Sequence, residues 1–481
     1  MKNITKVNLL GLITAVYTVV MLLSLKLRFL DVFLPGTWHG RLGFDFFSIP
    51  RSFINLAHGA SIYFTRAGDY GPYASWFPYH PAVSLLAGSW LSLFSPWVAY
   101  AVFVALSAGL LVYCGYLLGR REGSPVRRAA CYVLVLCSPA VYLMLWAGQL
   151  QVLAVLAVTL TLADLAEIEA GPPAAERRFR GKLLAGILIS LFSKPVLLPA
   201  LLAFFAVRQC RRTIVLAVGL YAFVSALFLA VPWLNPQSAG LDRLVDVLLN
   251  PDHIFRTELY RGITISSYKP EFVNDNAIHW LNMKMRSGVS ERYNFEVFSL
   301  PAFIGALGVG VKGWLAKTPV LLAAALAGPV YFVKGRADAA RCAFWCTAMF
   351  VLAFFLSYEA VYEYHYAVAL PLIAAAWLKH RSAGGAERGA LVLFCCAGAL
   401  LYAPTPYFLF RHTGLVHHTA AAAAFKDPFI SIGLSENIYG WALGWIRAFR
   451  VLPACVMFGA AAVCAADCVF RGLARRADAG S

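Results

Sequence analysis

Apolar runs of about 18 or more residues recur along the whole chain, separated by polar turns. A run of that length can cross the hydrocarbon core of a bilayer as an α-helix, which satisfies its own backbone hydrogen bonds. The first run extends from Val7 to about Leu25 and lacks the small-residue cleavage pattern of a secretory signal, so we interpret it as a retained span. The pattern predicts an all-α polytopic membrane protein with roughly eleven to thirteen spans.

Three stretches do not fit a simple count of spans. Residues 79–94 form a short apolar run directly before a long one at 96–118, and we expect the first to be a surface or re-entrant helix. Residues 183–207 are flanked by basic residues and interrupted by Ser193-Lys194-Pro195. Proline cannot continue a helix, so two half-length helices that enter the membrane and return are expected there. The stretch 297–333 stays ambiguous.

A candidate functional residue, Asp45, follows the first span and stands before a second type of helix. From Phe47 to Ala57 apolar residues recur at helical spacing, which predicts an interfacial helix lying on the membrane and ending near Gly59. Asp45 stands just before this helix, where a carboxylate can reach both water and lipid. The pattern suggests a site that acts on lipid-borne substrates, and an ordinary solvated loop aspartate is the alternative.

Composition and charge agree with the apolar pattern. The 481-residue chain is 60% hydrophobic and 14% charged, with a mean hydropathy of +0.68, whereas soluble domains carry about a quarter charged residues. The net charge of +17 comes mostly from arginine and lysine in short loops. In a membrane protein such loops indicate orientation, so we predict no nucleic-acid partner.

The basic turns divide the loops into two groups. The basic turns, which we expect on the cytoplasmic side, lie at 119–128, 177–182, 208–212, 334–341, 379–388 and 471–476. Three longer segments, 30–78, 234–298 and 404–445, are richer in aromatic and acidic residues, and we expect them outside. Asp45 belongs to the first of these outer segments.

The sequence predicts no cofactor, metal or disulfide. All eleven cysteines except Cys210 lie in apolar segments, and Cys342 and Cys346, one helical turn apart, are interpreted as packing residues. The chain shows neither a glycine-rich nucleotide-binding motif nor an acidic Asp-x-Asp metal motif. A nucleotide-sugar donor is therefore not expected.

Two further ionisable residues stand at breaks in apolar segments. The break at Lys194 would put this lysine deep in the protein near the outer leaflet, which makes it a functional candidate with an anionic partner, or else a structural lysine neutralised by a carboxylate. His365 lies in the polar and aromatic segment 354–366, expected on the same side as Asp45. It could bind a phosphate, or be a satisfied histidine in an interfacial aromatic belt.

Taken in order, these motifs resemble glycosyltransferase family 87, the polyprenyl-phosphate-sugar-dependent mannosyltransferases of the GT-C superfamily. The similarity covers about residues 40–375. The motifs that carry it are Asp45-Phe46 with the helix, Gly59 and Tyr63 that follow, Pro78-Tyr79-His80-Pro81, Ser138-Pro139 leading to Gly148-Gln149, Lys194-Pro195, and the segment 357–366 before a Leu-Pro span.

The chain departs from the family pattern at three places. His80 replaces the first proline of the usual Tyr-Pro-Pro, and Gln151 stands where an asparagine usually follows Gly-Gln. The loop 234–298 has only Ile265-Ser266-Ser267-Tyr268 in place of the family's Asn-Gln-Ser element. These departures bear on the identity of the sugar more than on the class of reaction.

The resemblance implies a membrane glycosyltransferase with a GT-C-type helical fold and outer-face interfacial helices. A mannose-like sugar on a polyprenyl phosphate would pass with inversion to a lipid or glycan hydroxyl. Asp45 would be the general base, with Glu363 and Asp69 next in line. The residues expected to bind the donor phosphate or the substrates are Lys194, His365, Arg261, Tyr79, His80, Gln149 and Glu363.

The implied organisation is a catalytic module at 1–388 followed by additional spans at 389–481. The expected place is the inner (plasma) membrane, with the site facing the periplasm or exterior. Two rival functions stay open. Broken helices and a lysine within the membrane are also features of secondary transporters, although the two halves show no internal repeat. The second rival function is that of a non-catalytic partner in envelope-glycan assembly.

Overall fold

The computed structural model confirms an all-α polytopic fold. It describes residues 2–30, 42–58, 62, 70–72, 77, 79–170, 180–230, 299–307, 309, 317–333, 335–358, 361–379, 385–404, 416–417, 437–438 and 440–478. Arg261, Asp69, Gly59, Tyr63 and the whole segment 234–298 lie outside these residues. Within them, extended structure is limited to one antiparallel pair, Val416–His417 with Asn437–Ile438.

The helices follow the apolar runs closely. In chain order they are α1 (Lys2–Leu27), α2 (Ser48–Ala57), α3 (Pro81–Leu91), α4 (Pro96–Gly119), α5 (Pro125–Leu136), α6 (Pro139–Ala147), α7 (Gln151–Ala170), α8 (Gly181–Phe192), α9 (Leu201–Ala206), α10 (Arg211–Ala230), α11 (Leu300–Ala306), α12 (Thr318–Ala327), α13 (Arg336–Ser357), α14 (Leu370–Lys379), α15 (Gly385–Leu401) and α16 (Gly440–Asp478). Short 3₁₀ segments occur at Arg208–Cys210, Gly328–Phe332 and Glu363–Ala369.

Six helical stretches of the described residues are long and apolar enough to cross a membrane. They are Asn8–Leu27, Pro96–Gly119, Gln151–Ala170, Arg208–Phe228, Arg336–Ser357 and Arg447–Ala474. Helices α5 and α6, bent by 41°, would together form a seventh. The prediction of eleven to thirteen spans also concerns residues outside the described ranges, so it stays a prediction.

Helices α7 and α13 form the centre of the fold. In their apolar windows 78% and 89% of the residues are buried, compared with 17% in α1. A helix that is apolar on all sides can lie in a protein core or face lipid. The packing places α7 and α13 in the core and α1 at the periphery. Helix α7 packs against α4, α8 and α13, whereas α1 packs mainly on α4 at the periphery.

The two irregular stretches at 79–94 and 183–207 are both helical with breaks. Helix α3 contains a π-helical turn at Ser84–Gly88, packs on α2, and at about 16 Å is too short to cross a bilayer. Helix α8 ends before Lys194-Pro195, and α9 begins at Leu201, as the proline predicted. Ser190 holds this break, because its hydroxyl donates to the Lys194 carbonyl (3.0 Å) and accepts the Leu197 N–H (3.1 Å).

Carboxylates at the C-terminal end of α7 gather basic residues from four parts of the chain. We name Arg120, Lys182, Arg341 and Lys379 the basic collar. Arg120 and Lys182 pair with Glu167, and Arg341 and Lys379 pair with Glu169. Four of the basic turns identified in the sequence therefore meet at one end of the central helix.

Candidate active site

Asp45 is held in place by the end of a helix. The last carbonyls of a helix have no partner within it, and at α6 two of them accept hydrogen bonds from the Asp45 turn. The Gly43 N–H donates to the Trp146 carbonyl (2.7 Å), and the Asp45 N–H donates to the Ala147 carbonyl (2.8 Å). The backbone at Asp45 and just before it is therefore fixed to the end of α6.

Gly148 closes the same helix end. Its φ of 74° is left-handed, its N–H donates to Leu145 (3.1 Å), and the Gln149 N–H donates to Met144 (3.0 Å). These two bonds form a Schellman motif. A Cβ at Gly148 would lie 2.4 Å from the Cβ of Phe46. Only glycine therefore allows the Asp45 turn to approach this closely, and the motif sets the direction of Gln149.

Aromatic packing secures the turn from the other side. The rings of Phe46 and Phe47 are fully buried against Tyr100, Phe103 and Trp97, with centroid distances of 5.1–6.3 Å. The Tyr100 hydroxyl donates to a further carbonyl at the end of α6, that of Leu145 (2.6 Å). The Asp45 side chain, between these anchors, is only half-buried.

Gln149 links the carboxylate to the lysine. Its Nε2 donates to Oδ2 of Asp45, while its Oε1 accepts from Nζ of Lys194 (2.9 Å) and from the Tyr79 hydroxyl (3.1 Å). Burial, together with the nearby Asp45 charge, raises the pKa of Tyr79, so its hydroxyl stays protonated and donates. One amide group thus separates the carboxylate from the ammonium group.

The Lys194 side chain is in contact with His365 as well as with Gln149. Nζ of Lys194 lies 3.2 Å from Nε2 of His365 and 5.4 Å from the centroid of the Tyr364 ring. Nδ1 of His365 accepts the backbone N–H of Tyr362 (2.9 Å), so the ring hydrogen is on Nε2. Two N–H donors therefore lie side by side, and an anionic oxygen bound against both could accept a hydrogen bond from each.

The backbone of His365 is tied to the start of α7. The Gln151 side chain is fully buried, and its Nε2 donates to the His365 carbonyl (3.1 Å). Its Oε1 has no hydrogen-bond partner among the described residues. The sequence marked Gln151 only as a departure from a family pattern, and its part in supporting the histidine was missed.

His80 is placed as the N-cap of α3. Its Nδ1 accepts the Ala82 N–H (3.1 Å), its Nε2 lies 3.1 Å from the Ser225 hydroxyl, and its ring packs on Phe192. Burial lowers the pKa of His80 to about 3, so the ring is neutral near pH 7. These contacts give it a structural role, and the predicted role in substrate binding stays a prediction.

Glu363 pairs with an arginine that the sequence analysis did not single out. Its Oε1 accepts from Nε of Arg450 (3.1 Å), and both side chains are buried. An arginine inside the last apolar helix is a signal that could have been used, because a charged residue there needs a partner. Within the described residues, no group of three or more His, Cys, Asp or Glu side chains is placed to hold a metal ion.

Comparison with known families gives a match, which includes part of this site. The model of glycosyltransferase family 87 matches residues 77–357, which is more than half of the chain. The chain belongs to glycosyltransferase family 87. The family resemblance drawn from the sequence is thereby confirmed, and the chain is a membrane glycosyltransferase. None of the curated proteins or solved structures compared with it matches.

The matched segment contains only part of the site of this family 87 protein. Tyr79, Gln149 and Lys194 lie inside it, whereas Asp45 precedes it and His365 follows it. Asp45 is hydrogen-bonded to Gln149, and His365 is in contact with Lys194, so both outlying residues touch the matched core.

Gly148→Ala tests whether the helix closure holds the site together. The added Cβ would overlap Phe46 in a backbone conformation unfavourable for alanine, so we expect a loss of about 1–3 kcal/mol and weaker glycosyl transfer. The measurement is the apparent melting temperature in detergent beside the transfer rate. Gly219→Ala in α10, where a Cβ meets nothing within 4 Å, is the control. Equal melting temperatures for the two variants would contradict the argument.

Proposed function

We propose that this glycosyltransferase transfers a mannose-like sugar from a polyprenyl monophosphate to a hydroxyl group of a lipid or glycan acceptor, with inversion. The observation that carries the proposal is a pair of adjacent donors, Nζ of Lys194 and Nε2 of His365, one amide group away from Asp45. This arrangement offers a site for a phosphate and a base close to it, which are the two groups that such a transfer needs.

The donor phosphate would lie against Lys194 and His365. As the glycosidic bond breaks, negative charge grows on the phosphate oxygens, and donors already aimed at that place stabilise it most. Lys194 supplies a charge, and His365 supplies a directed N–H whose orientation is set by the Tyr362 backbone. The Tyr364 ring lies beside both side chains.

Asp45 would act as the general base. In the proposed step the acceptor oxygen bonds to C1 of the sugar, its proton passes to Asp45, and the C1–O bond electrons leave with the phosphate. Because the oxygen enters opposite the leaving group, the anomeric centre inverts. The Gln149 amide bonds to both Asp45 and Lys194, and so connects the proposed base to the proposed phosphate site.

The proposal includes a lipid donor because the site lies in a chain with several membrane-length helices. A polyprenyl chain can remain in the bilayer while its phosphate reaches the half-buried Lys194. Incubating the purified protein with a panel of polyprenyl-phosphate sugars and membrane lipids tests the donor and acceptor together. Glycolipid formation from none of these donors would refute the proposal, and transport without transfer would favour a transporter.

We further propose that the site faces the periplasm or exterior of the inner (plasma) membrane. The basic collar lies at the C-terminal end of α7, whose 20 residues span about 30 Å. Gln151, at the other end of α7, bonds to the His365 carbonyl, and Gln149 just before it bonds to Asp45. Basic loops favour the cytoplasm. A site at the other end of α7 would therefore open outward, where envelope glycans are assembled.

Cysteine labelling checks this orientation. Ser95 and Gly123 are exposed and stand at the two ends of α4. After the exposed Cys137 and Cys396 are replaced by serine, an impermeant maleimide should label Ser95→Cys from outside intact cells. It should label Gly123→Cys, which is near the collar, only after the membrane is opened. The reverse pattern would place the site on the cytoplasmic side.

Asp45→Asn tests the base. Asparagine keeps the size and an oxygen that can accept from Gln149, but it cannot take the proton. Initial rates of glycolipid formation should fall by roughly 10²–10⁴-fold with donor binding mostly kept. Asp45→Glu should rescue poorly, because the extra methylene displaces the carboxylate and the attack geometry is strict. Near-normal turnover by the Asn variant would exclude Asp45 as the base.

Lys194→Met tests the phosphate site. Methionine keeps the apolar stem and removes the charge, so the donor KM should rise about tenfold or more while the acceptor KM stays nearly constant. Lys182→Met is the matched control, because Lys182 also binds a side-chain oxygen, that of Glu167, but in the basic collar. An equal effect of both variants on the donor KM would argue against a phosphate at Lys194.

A further inference from the structure

The C-terminal helix α16 reaches the site through one buried ion pair. Nε of Arg450 donates to Oε1 of Glu363 at 3.1 Å, and Nη2 donates to the same oxygen. The two residues are 1% and 6% exposed. Both belong to parts of the chain beyond the family-matched residues 77–357. The pair therefore concerns a part of this protein that the family match does not describe.

Glu363 begins the 3₁₀ segment Glu363–Ala369, which carries His365. Such segments have poor hydrogen-bond geometry and rarely run beyond three or four residues. This one has seven residues and is supported from outside at several points. Gln151 holds the His365 carbonyl, the Tyr402 hydroxyl donates to the Tyr366 carbonyl, and Arg450 holds the first residue.

We propose that Arg450 and Glu363 are positioning residues for His365, and that α16 is thereby part of the catalytic unit. The inference rests on the proposed role of His365 at the donor phosphate. A shift of Glu363 is passed to His365 two residues later, because both stand within a single turn of the same 3₁₀ segment. The imidazole Nε2 then no longer lies beside the Lys194 ammonium group.

The first experiment compares Arg450→Met with Arg447→Met. Arg447 is also a buried arginine of α16, but its guanidinium donates to the Ala302 carbonyl in α11. Both substitutions remove a buried charge from the same helix. Arg450→Met should raise the donor KM about tenfold, with the acceptor KM changed less than about twofold. Arg447→Met should leave the ratio of these KM values unchanged, and an equal rise in both variants would overturn the proposal.

The double variant Arg450→Met/Glu363→Gln separates positioning from fold stability. Removing one partner leaves an uncompensated buried charge, whereas removing both does not. The double variant should therefore regain most of the melting temperature lost by Arg450→Met and keep the raised donor KM. Return of both the melting temperature and the donor KM to their wild-type values would mean that the pair only stabilises the fold. Arg450→Lys, which keeps the charge, should restore part of the donor affinity.

A cycle with His365→Gln tests whether the arginine acts through the histidine. In that background Arg450→Met should raise the donor KM no further, because the group it positions is already absent. Additive effects would overturn the inference and leave the proposed function intact. If the wild-type protein neither binds nor uses the donor, the proposed function fails and the catalytic meaning of the pair fails with it.

Hydrogen–deuterium exchange provides a readout that needs no substrate. Backbone amides of residues 361–369 should exchange faster in Arg450→Met than in the wild type or in Arg447→Met. Unchanged exchange in this segment would overturn the positioning role even if transfer were reduced.

Discussion

The site depends on how one helix ends. Helix α6 stops at Gly148, and its last carbonyls accept the N–H groups of the Asp45 turn. The same left-handed glycine directs Gln149, whose amide then reaches Asp45. One backbone constraint therefore fixes both the carboxylate and the group that holds it. A local hydrogen-bond requirement becomes a functional geometry because a helix end inside a protein must find its partners.

The charged side chains at the two ends of α7 are held in different ways. At the C-terminal end of α7, carboxylates and the basic collar neutralise each other in direct ion pairs. At the other end, Asp45 and Lys194 are joined through the amide of Gln149. Direct ion pairs suit a structural role, since each charge compensates the other. An amide between a carboxylate and an ammonium group is neutral, which fits a site where bonds are made and broken.

The helices that surround the site belong to two parts of the chain. The family-matched residues 77–357 supply Gln149 and Lys194, and the residues that follow supply His365 and its support from α16. The division into a catalytic module at 1–388 and additional spans at 389–481 stays a prediction. Through Arg450, the last described helix contacts the segment that presents the histidine.

Local properties were enough to predict the all-α class, the break at Lys194-Pro195 and the candidates Asp45, Lys194 and His365. These properties are apolar run length, proline geometry, and the cost of an ionisable group beside lipid. The family came from the resemblance of several motifs in a fixed order. Only the tertiary structure decided which groups touch. Asp45 meets Gln149 across 104 residues, and Lys194 meets His365 across 171. Apolar periodicity cannot specify such pairs, because it fixes which residues are buried and leaves open which helix faces which.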